Sequence, residues 1–387
     1  MPGIMAISDL HLGLSSSYLT LPDVRQQLFE VMKSKAGGRL DALILVGDVI
    51  DLAGGKFPEP WIAGREFFAE LAGQDFDIKQ VMYILGNHDH HLWVQLFESE
   101  VLLPRLGSLT RLDKLDLTRR YFRFPTPLHV LFPESLRKEV IFAYPYHSFT
   151  DKVSFTRFTF HHGHYLDPLI TPLGVQAASK ERKLEKIEAY NLSYMESMFY
   201  FFSWDVAVQD SELALYDMFS KTKAFAKMMQ NLVRSPGETK SRFRRFLQRP
   251  RKFLGLQKKE AVAKDQDIPD NARRLDVLRK CISGGDSQPV KQDIWVLGHS
   301  HRRNEWPRIK TDSAVTVYNL GGWVAPPRSE WTHADAWPRP AVFHWERVTG
   351  ASFQNIEITA GQKRLLTSRI GSLRQPINLK EPEPQNE

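Results

Sequence analysis

Residues 42–51 read ALILVGDVID. Five apolar residues run without interruption, Gly47-Asp48 ends the run, and a second carboxylate follows at Asp51. A continuous apolar run of that length, closed by a turn signal, reads as a strand covered on both faces. The same grammar stands on either side of it. Upstream, Gly3–Ile7 (GIMAI) ends in Ser8-Asp9-Leu10-His11; downstream, Val81–Leu85 (VMYIL) ends in Gly86-Asn87-His88-Asp89. Between the three runs, Val24, Leu28, Val31 and Met32 recur at helical spacing, and Trp61–Leu71 places Phe67, Phe68 and Leu71 on one helical face. Strand, helix, strand, helix, strand implies parallel strands joined by right-handed crossovers.

Working outward, Val140–Tyr144 and Arg157–Phe160 read as further strands, the second ending in His161-His162-Gly163-His164. From Thr171 the pattern changes. Lys180–Val233 has helical character with few Gly or Pro, and Ser241–Leu256 mixes Arg and Lys with Phe243, Phe246 and Phe253. A helix is expected over Asn271–Ile282, with Asp270 as its N-cap. Ile294–Leu297 then returns to a buried strand that ends in Gly298-His299-Ser300-His301. Strand-like runs follow at Ala314–Tyr318, Ala341–Trp345 and Ser352–Ile358. This divides the chain into a first core segment (1–170), a helical basic insertion (171–270), a second core segment (271–374) and a tail (375–387). The tail, rich in Pro, Glu and Asn, is expected to be disordered.

Composition narrows the function classes. The chain is 42% apolar and 25% charged, which is ordinary for a globular enzyme and excludes collagen-like or mainly disordered chains. One cysteine, Cys281, allows no internal disulfide and no Cys-based zinc site, so a reducing, cytoplasmic setting is expected. The start, MPGIMAISDLHLG, lacks the basic and apolar regions of a secretory signal, and no apolar run is long enough to span a bilayer. The net charge of +7 is concentrated: Lys221–Lys259 holds 13 basic residues against Glu238 alone. Such a cluster suits a polyanion, either an anionic membrane surface or nucleic acid, and equally a solvated helical face. Peripheral membrane association would run through this segment. The oligomeric state is not legible.

Five polar clusters each follow an apolar run: Asp9-x-His11, Asp48-x-x-Asp51, Asn87-His88-Asp89, His162-x-His164 and His299-x-His301. In open parallel sheets ligands bind at the carboxyl ends of strands, so distant clusters can meet in one crevice. Asp, Asn and His offer oxygen and imidazole donors, suited to Mn²⁺, Fe or Zn²⁺. Alternate residues of an extended strand face opposite ways, so Asp-x-His and His-x-His pairs share an ion only where the chain turns out of the sheet. The glycines before Asp48, Asn87 and His299 permit such turns. Two ions about 3.5–4 Å apart need a bridging carboxylate, and Asp48 is the natural candidate.

The order D-x-H, G-D-x-x-D, G-N-H-D, H-G-H, G-H-x-H resembles the calcineurin-like metallophosphoesterase superfamily, in all five blocks and in order, across residues 5–301. The resemblance implies an α/β fold, a four-layer αββα sandwich of two mixed sheets, here with an inserted α-helical cap, the strands after His301 completing the second sheet. Asn319-Leu-Gly-Gly-Trp323 resembles the Asn-x-Gly turn that often follows the last block. The resemblance implies two divalent cations, with Mn²⁺ expected and Fe or Zn²⁺ as alternatives. Asp9, His11, Asp48 and His301 would hold the first; Asp48, Asn87, His162 and His299 the second. His88 matches the histidine that faces the substrate phosphate, and Asp51 the carboxylate that pairs with it. His164, His90, Arg242 and Arg245 are expected at the substrate.

The implied activity is metal-dependent hydrolysis of a phosphoester, phosphodiester or pyrophosphate by a hydroxide bridging the ions, on a small phosphate-containing, nucleotide or lipid-linked substrate. A narrower similarity, to UDP-2,3-diacylglucosamine pyrophosphatases, rests on the helical insertion and breaks at His88, where those enzymes typically carry Arg. Two other classes stand beside this reading: a DNA or RNA phosphodiesterase using the basic stretch, and a non-catalytic scaffold on the same fold. The second would usually have lost ligands, and none of the seven is missing here.

Overall fold

The structure, a computed structural model, describes residues 3–54, 58–75, 77–105, 120–167, 268–283, 290–301, 315–326, 337, 339–346 and 349–372. The expected basic insertion (171–270), apart from residues 268–270, and the expected tail (375–387) lie outside these residues.

The large sheet is built from β1 (Gly3–Ile7), β2 (Arg39–Val46), β3 (Asp77–Ile78), β4 (Val81–Ile84), β5 (Arg120–Arg123), β6 (Val140–Tyr144), β11 (Ala341–Glu346) and β12 (Gly350–Asn355). Its order is β12-β11-β1-β2-β4-β6-β5, with β3 paired to β2. β1, β2, β4 and β6 run parallel; β5, β11 and β12 pair antiparallel. The smaller sheet has the order β10-β9-β8-β7, from β7 (Tyr146–Asp151), β8 (Thr156–His161), β9 (Gln292–Leu297) and β10 (Val315–Asn319). β8, β9 and β10 are parallel and β7 is antiparallel to β8.

The apolar runs lack alternation because the central strands are buried on both sides. Odd and even residues of β2 separate into two cores: Leu43 and Leu45 face the helices, while Ile44 and Val46 face the other sheet. β4 and β6 divide in the same way, with Val81 and Tyr83 against the helices and Met82 and Ile84 between the sheets. α1 (Pro22–Ala36), α2 (Glu59–Ala72), α3 (His90–Phe97) and a later helix, Ala360–Ser372, cover the outer face of the large sheet. The helix Ile268–Ser283 covers the outer face of the small one through Leu275 and Leu278, with Cys281 packed half-buried at that contact. Helix, sheet, sheet, helix is the four-layer sandwich, with Phe158, Phe160, Ile294, Val296 and Phe343 filling the gap between the sheets.

Two expectations need correction. The late strands do not all complete the second sheet. β10 does, but β11 and β12 extend the large sheet beside β1, with Ile4 opposite Trp345. β11 is buried on both faces, Val342 toward the helices and Phe343 toward the other sheet, and beside β1 both faces are covered. The helix expected from Asn271 begins at Ile268, which puts Asp270 inside the first turn and not at the cap.

Candidate metal centre

All five clusters leave the carboxyl ends of β1, β2, β4, β8 and β9. Past those ends the chains remain tied together: Asp9 N–H donates to Gly47 O, His11 N–H to Asp48 O, and Gly298 N–H to His162 O, at 2.9–3.1 Å. Keeping these bonds while turning side chains into the crevice requires unusual backbone. Asp9, His11, Asp48, His299 and His301 all have positive φ, from 45° to 71°. Non-glycine residues held there cost about 1–3 kcal/mol each and cluster at functional sites. Among the described residues the only other such position is Phe155. The turning is therefore shared between these donor residues and two glycines beside donors, Gly47 at φ +81° and Gly163 at +111°. Gly86 serves differently: a Cβ there would collide with the Asp48 side chain and backbone, so its role is close approach.

The donors converge. Asp48 Oδ2 lies 3.7 Å from His11 Nε2 on one side and 3.0 Å from His162 Nε2 on the other. Around the first nitrogen, His301 Nε2 stands 3.0 Å from His11 Nε2 and 3.3 Å from Asp9 Oδ1. Around the second, Asn87 Oδ1 is 3.1 Å from His162 Nε2. Asp9, His11 and His301 form one compact donor group; Asp48, His162 and His299 form another. His88 also lies within reach of His11 and Asp48.

The ring nitrogens that do not converge are held. His11 Nδ1–H donates to Asp51 Oδ2 at 2.6 Å, and His162 Nδ1–H to the Val46 carbonyl at 2.8 Å. Each contact fixes the tautomer that leaves Nε2 open as a ligand. Asp51 does more than the sequence reading expected: its other oxygen accepts from His88 Nδ1 at 3.0 Å, so one carboxylate holds both His11 and His88. Asp89 organises the turn, accepting from Val49 N–H, Gly86 N–H and the Tyr83 hydroxyl. Burial and the Asp48 charge push its carboxyl up to about 7.

Electrostatics test the fit to cations. Asp9, Asp48 and Asp51 are all but fully buried, and among the described residues their ion-pair partners within 4 Å are histidines only. Sequestered carboxylates need cationic partners, and here those beside them are imidazoles, of which the same carboxylates hold His88 and His162 protonated. Burial pushes the Asp48 carboxyl up, but His162, His88 and His11 outweigh it and hold it well below the usual range. Burial opposes charge on His88, yet Asp51 and Asp48 prevail and raise it to about 10. Buried anions amid imidazoles, with one oxygen between two nitrogen groups, fit two divalent cations.

The expected substrate residues fare differently. His88 is 22% exposed at the crevice. His90 is buried on α3 between Trp93 and Tyr144, away from solvent. His164 is fully buried with its ring 5.6 Å from that of His162, and burial with the neighbouring histidines holds its pKa well below the ordinary value. Arg242 and Arg245 lie outside the described residues. The sequence reading missed Asp167, whose Oδ2 accepts from His299 Nε2 at 2.9 Å, and Ser8, whose hydroxyl reaches Asp9 and Val46 O. It also missed that Asn319 donates to Gly298 O and Ser300 Oγ and so clamps the last donor loop. The Asn-x-Gly spacing was the available signal for Asn319; an Asp three residues after His164 was the signal for Asp167.

The family model described as calcineurin-like phosphoesterase matches residues 3–201, just over half of the chain. No curated protein matches it. A similar solved structure is the crystal structure of a dimetal phosphatase from Danio rerio, at 13% identity and a TM-score of 0.32, covering 92% of this chain and 99% of that one.

Proposed function

This chain belongs to the calcineurin-like phosphoesterase family, and from that premise we propose that it hydrolyses phosphoester bonds with two divalent cations shared across Asp48. One observation carries the reading: the Asp48 carboxylate stands between the His11 and His162 nitrogens, each ring locked by a contact on its far side. Asp9, His11, Asp48 and His301 would hold one ion; Asp48, Asn87, His162 and His299 the other. Bound there, the ions supply Lewis-acid polarisation of phosphoryl oxygen and a water of lowered pKa. Donors of oxygen and imidazole without thiolate suit Mn²⁺, Fe and Zn²⁺ alike; Mn²⁺ is the ion proposed, with Fe or Zn²⁺ as alternatives.

The protein's own contribution centres on His88. With Nδ1–H given to Asp51, its Nε2 is the group offered to the crevice. In its protonated form, paired with Asp51, it would stabilise negative charge on phosphate oxygens and give a proton to the leaving oxygen. The His88 backbone N–H, which donates to Asp48 Oδ1 at 2.8 Å, ties this group to the shared carboxylate. Asp51 fixes its tautomer and position.

The proposed substrate is a small or lipid-linked phosphodiester or pyrophosphate, met in the cytoplasm, with Lys221–Lys259 as the contact to an anionic surface. Among the described residues no helix is long and apolar enough to cross a membrane. The test is a panel of p-nitrophenyl phosphate, its diester, nucleotides, single-stranded DNA and a UDP-linked lipid, assayed with Mn²⁺. Hydrolysis that a chelator abolishes and Mn²⁺ restores is expected. No turnover with Mn²⁺, Zn²⁺ or Fe²⁺, together with fewer than two ions bound, would sink the reading.

A further inference from the structure

We infer that Asp167 is a positioning residue for the second cation, holding His299 from behind so that one defined nitrogen serves as the ligand. The inference rests on the two-cation reading above. Asp167 Oδ2 accepts from His299 Nε2 at 2.9 Å, which leaves Nδ1 as the ring nitrogen able to accept an ion. Asp167 is in none of the compact donor groups, and its contact to the candidate centre is with the His299 ring. It stands to His299 as Asp51 stands to His11.

The local fold is built to bring the two together. Gly163, at φ +111°, turns the chain sharply after His162. A tight helical turn over His164–Leu166 follows, closed by Leu166 N–H to Gly163 O at 2.8 Å and Asp167 N–H to His164 O at 3.2 Å. A Cβ at residue 163 would stand 3.0 Å from Gly298 O and 3.2 Å from His299 Cβ, so the two loops approach as closely as glycine allows. The partners are 132 residues apart in sequence. A carboxylate on the far nitrogen fixes the imidazole tautomer and raises its basicity as a ligand.

The experiment is calorimetric Mn²⁺ titration of the wild type, Asp167→Ala, Asp167→Asn, His299→Ala and the Asp167→Ala/His299→Ala double variant, with thermal melts of each metal-free protein. Asp167→Ala should weaken one of two ions by about 10–100-fold and spare the other. Its metal-free melt should match the wild type. Asp167→Asn, whose amide oxygen still accepts from Nε2–H, should recover part of the affinity. In the His299→Ala background the loss of Asp167 should have no further effect. Unchanged affinity in Asp167→Ala overturns the inference, as does an additional loss in the double variant, which would make Asp167 a ligand in its own right. A lowered metal-free melt with both ions weakened equally overturns it in favour of a purely structural role. Wild-type protein that binds fewer than two ions overturns the two-cation reading itself, and this inference with it.

Discussion

The two sheets supply different halves of the centre. The loops of the large sheet bring the oxygen donors Asp9, Asp48 and Asn87 with one imidazole, His11; the loops of the small sheet bring imidazoles only, His162, His299 and His301. Support differs too. His11 is braced by Asp51 and His299 by Asp167, each within its own sheet's loops, whereas His162 reaches across to the Val46 carbonyl. Neither half alone supplies the donor group of Asp9, His11 and His301 or that of Asp48, His162 and His299. On the proposed reading the two halves meet only where the inter-sheet core seats one against the other, and packing between the sheets should then govern metal affinity.

That contrast can be broken outright at the shared residue. Asp48→Ala should abolish metal-dependent turnover and leave fewer than two ions by elemental analysis; two ions retained would dissolve the division into halves. Next in size, His88→Ala should keep both ions and lower kcat by about 10²–10⁴-fold, since His88 acts on substrate and not on the donor set. The sharpest comparison pairs two buried phenylalanines. Phe160→Ala, between the sheets, and Phe68→Ala, between the large sheet and its helices, should each cost about 3–5 kcal/mol in denaturant unfolding. Only Phe160→Ala should also weaken Mn²⁺ binding in the folded protein; equal effects from both would remove the argument from packing. Smallest is Arg25→Ala, which breaks the Arg25–Glu70 pair joining α1 to α2 at 2.8 Å, far from the crevice. It should cost about 0.2–1 kcal/mol and leave turnover unchanged.

The parallel strands were legible because burial on both faces writes itself as an unbroken apolar run, as at Ala42–Val46 and Val140–Tyr144. The destination of β11 was not, because Ala341–Glu346 has the composition of a buried strand in either sheet, and only its pairing with β1 decides which. The candidate donors could be picked out because each sits just past a run's end, near glycine or a second donor, and the structure brings them together. The substrate histidines were not. His90 and His164 are polar letters in the right neighbourhood; each has an aromatic neighbour in its own element, Trp93 and Tyr165, and Tyr144 of β6 packs against both rings from another element.

By itself the sequence determined the inventory of candidate donors, the strand ends that carry it and the order of the blocks, since these depend on residue type and near-neighbour periodicity. Tertiary structure decided which ring nitrogen His11, His162 and His299 keep open, which carboxylate or carbonyl braces each, and the left-handed backbone that turns five donors inward. Those outcomes hang on hydrogen bonds spanning 40 to 132 residues, between Asp51 and His11, His162 and Val46, and Asp167 and His299. Contacts of that separation are set by how two sheets pack, and no local pattern encodes them.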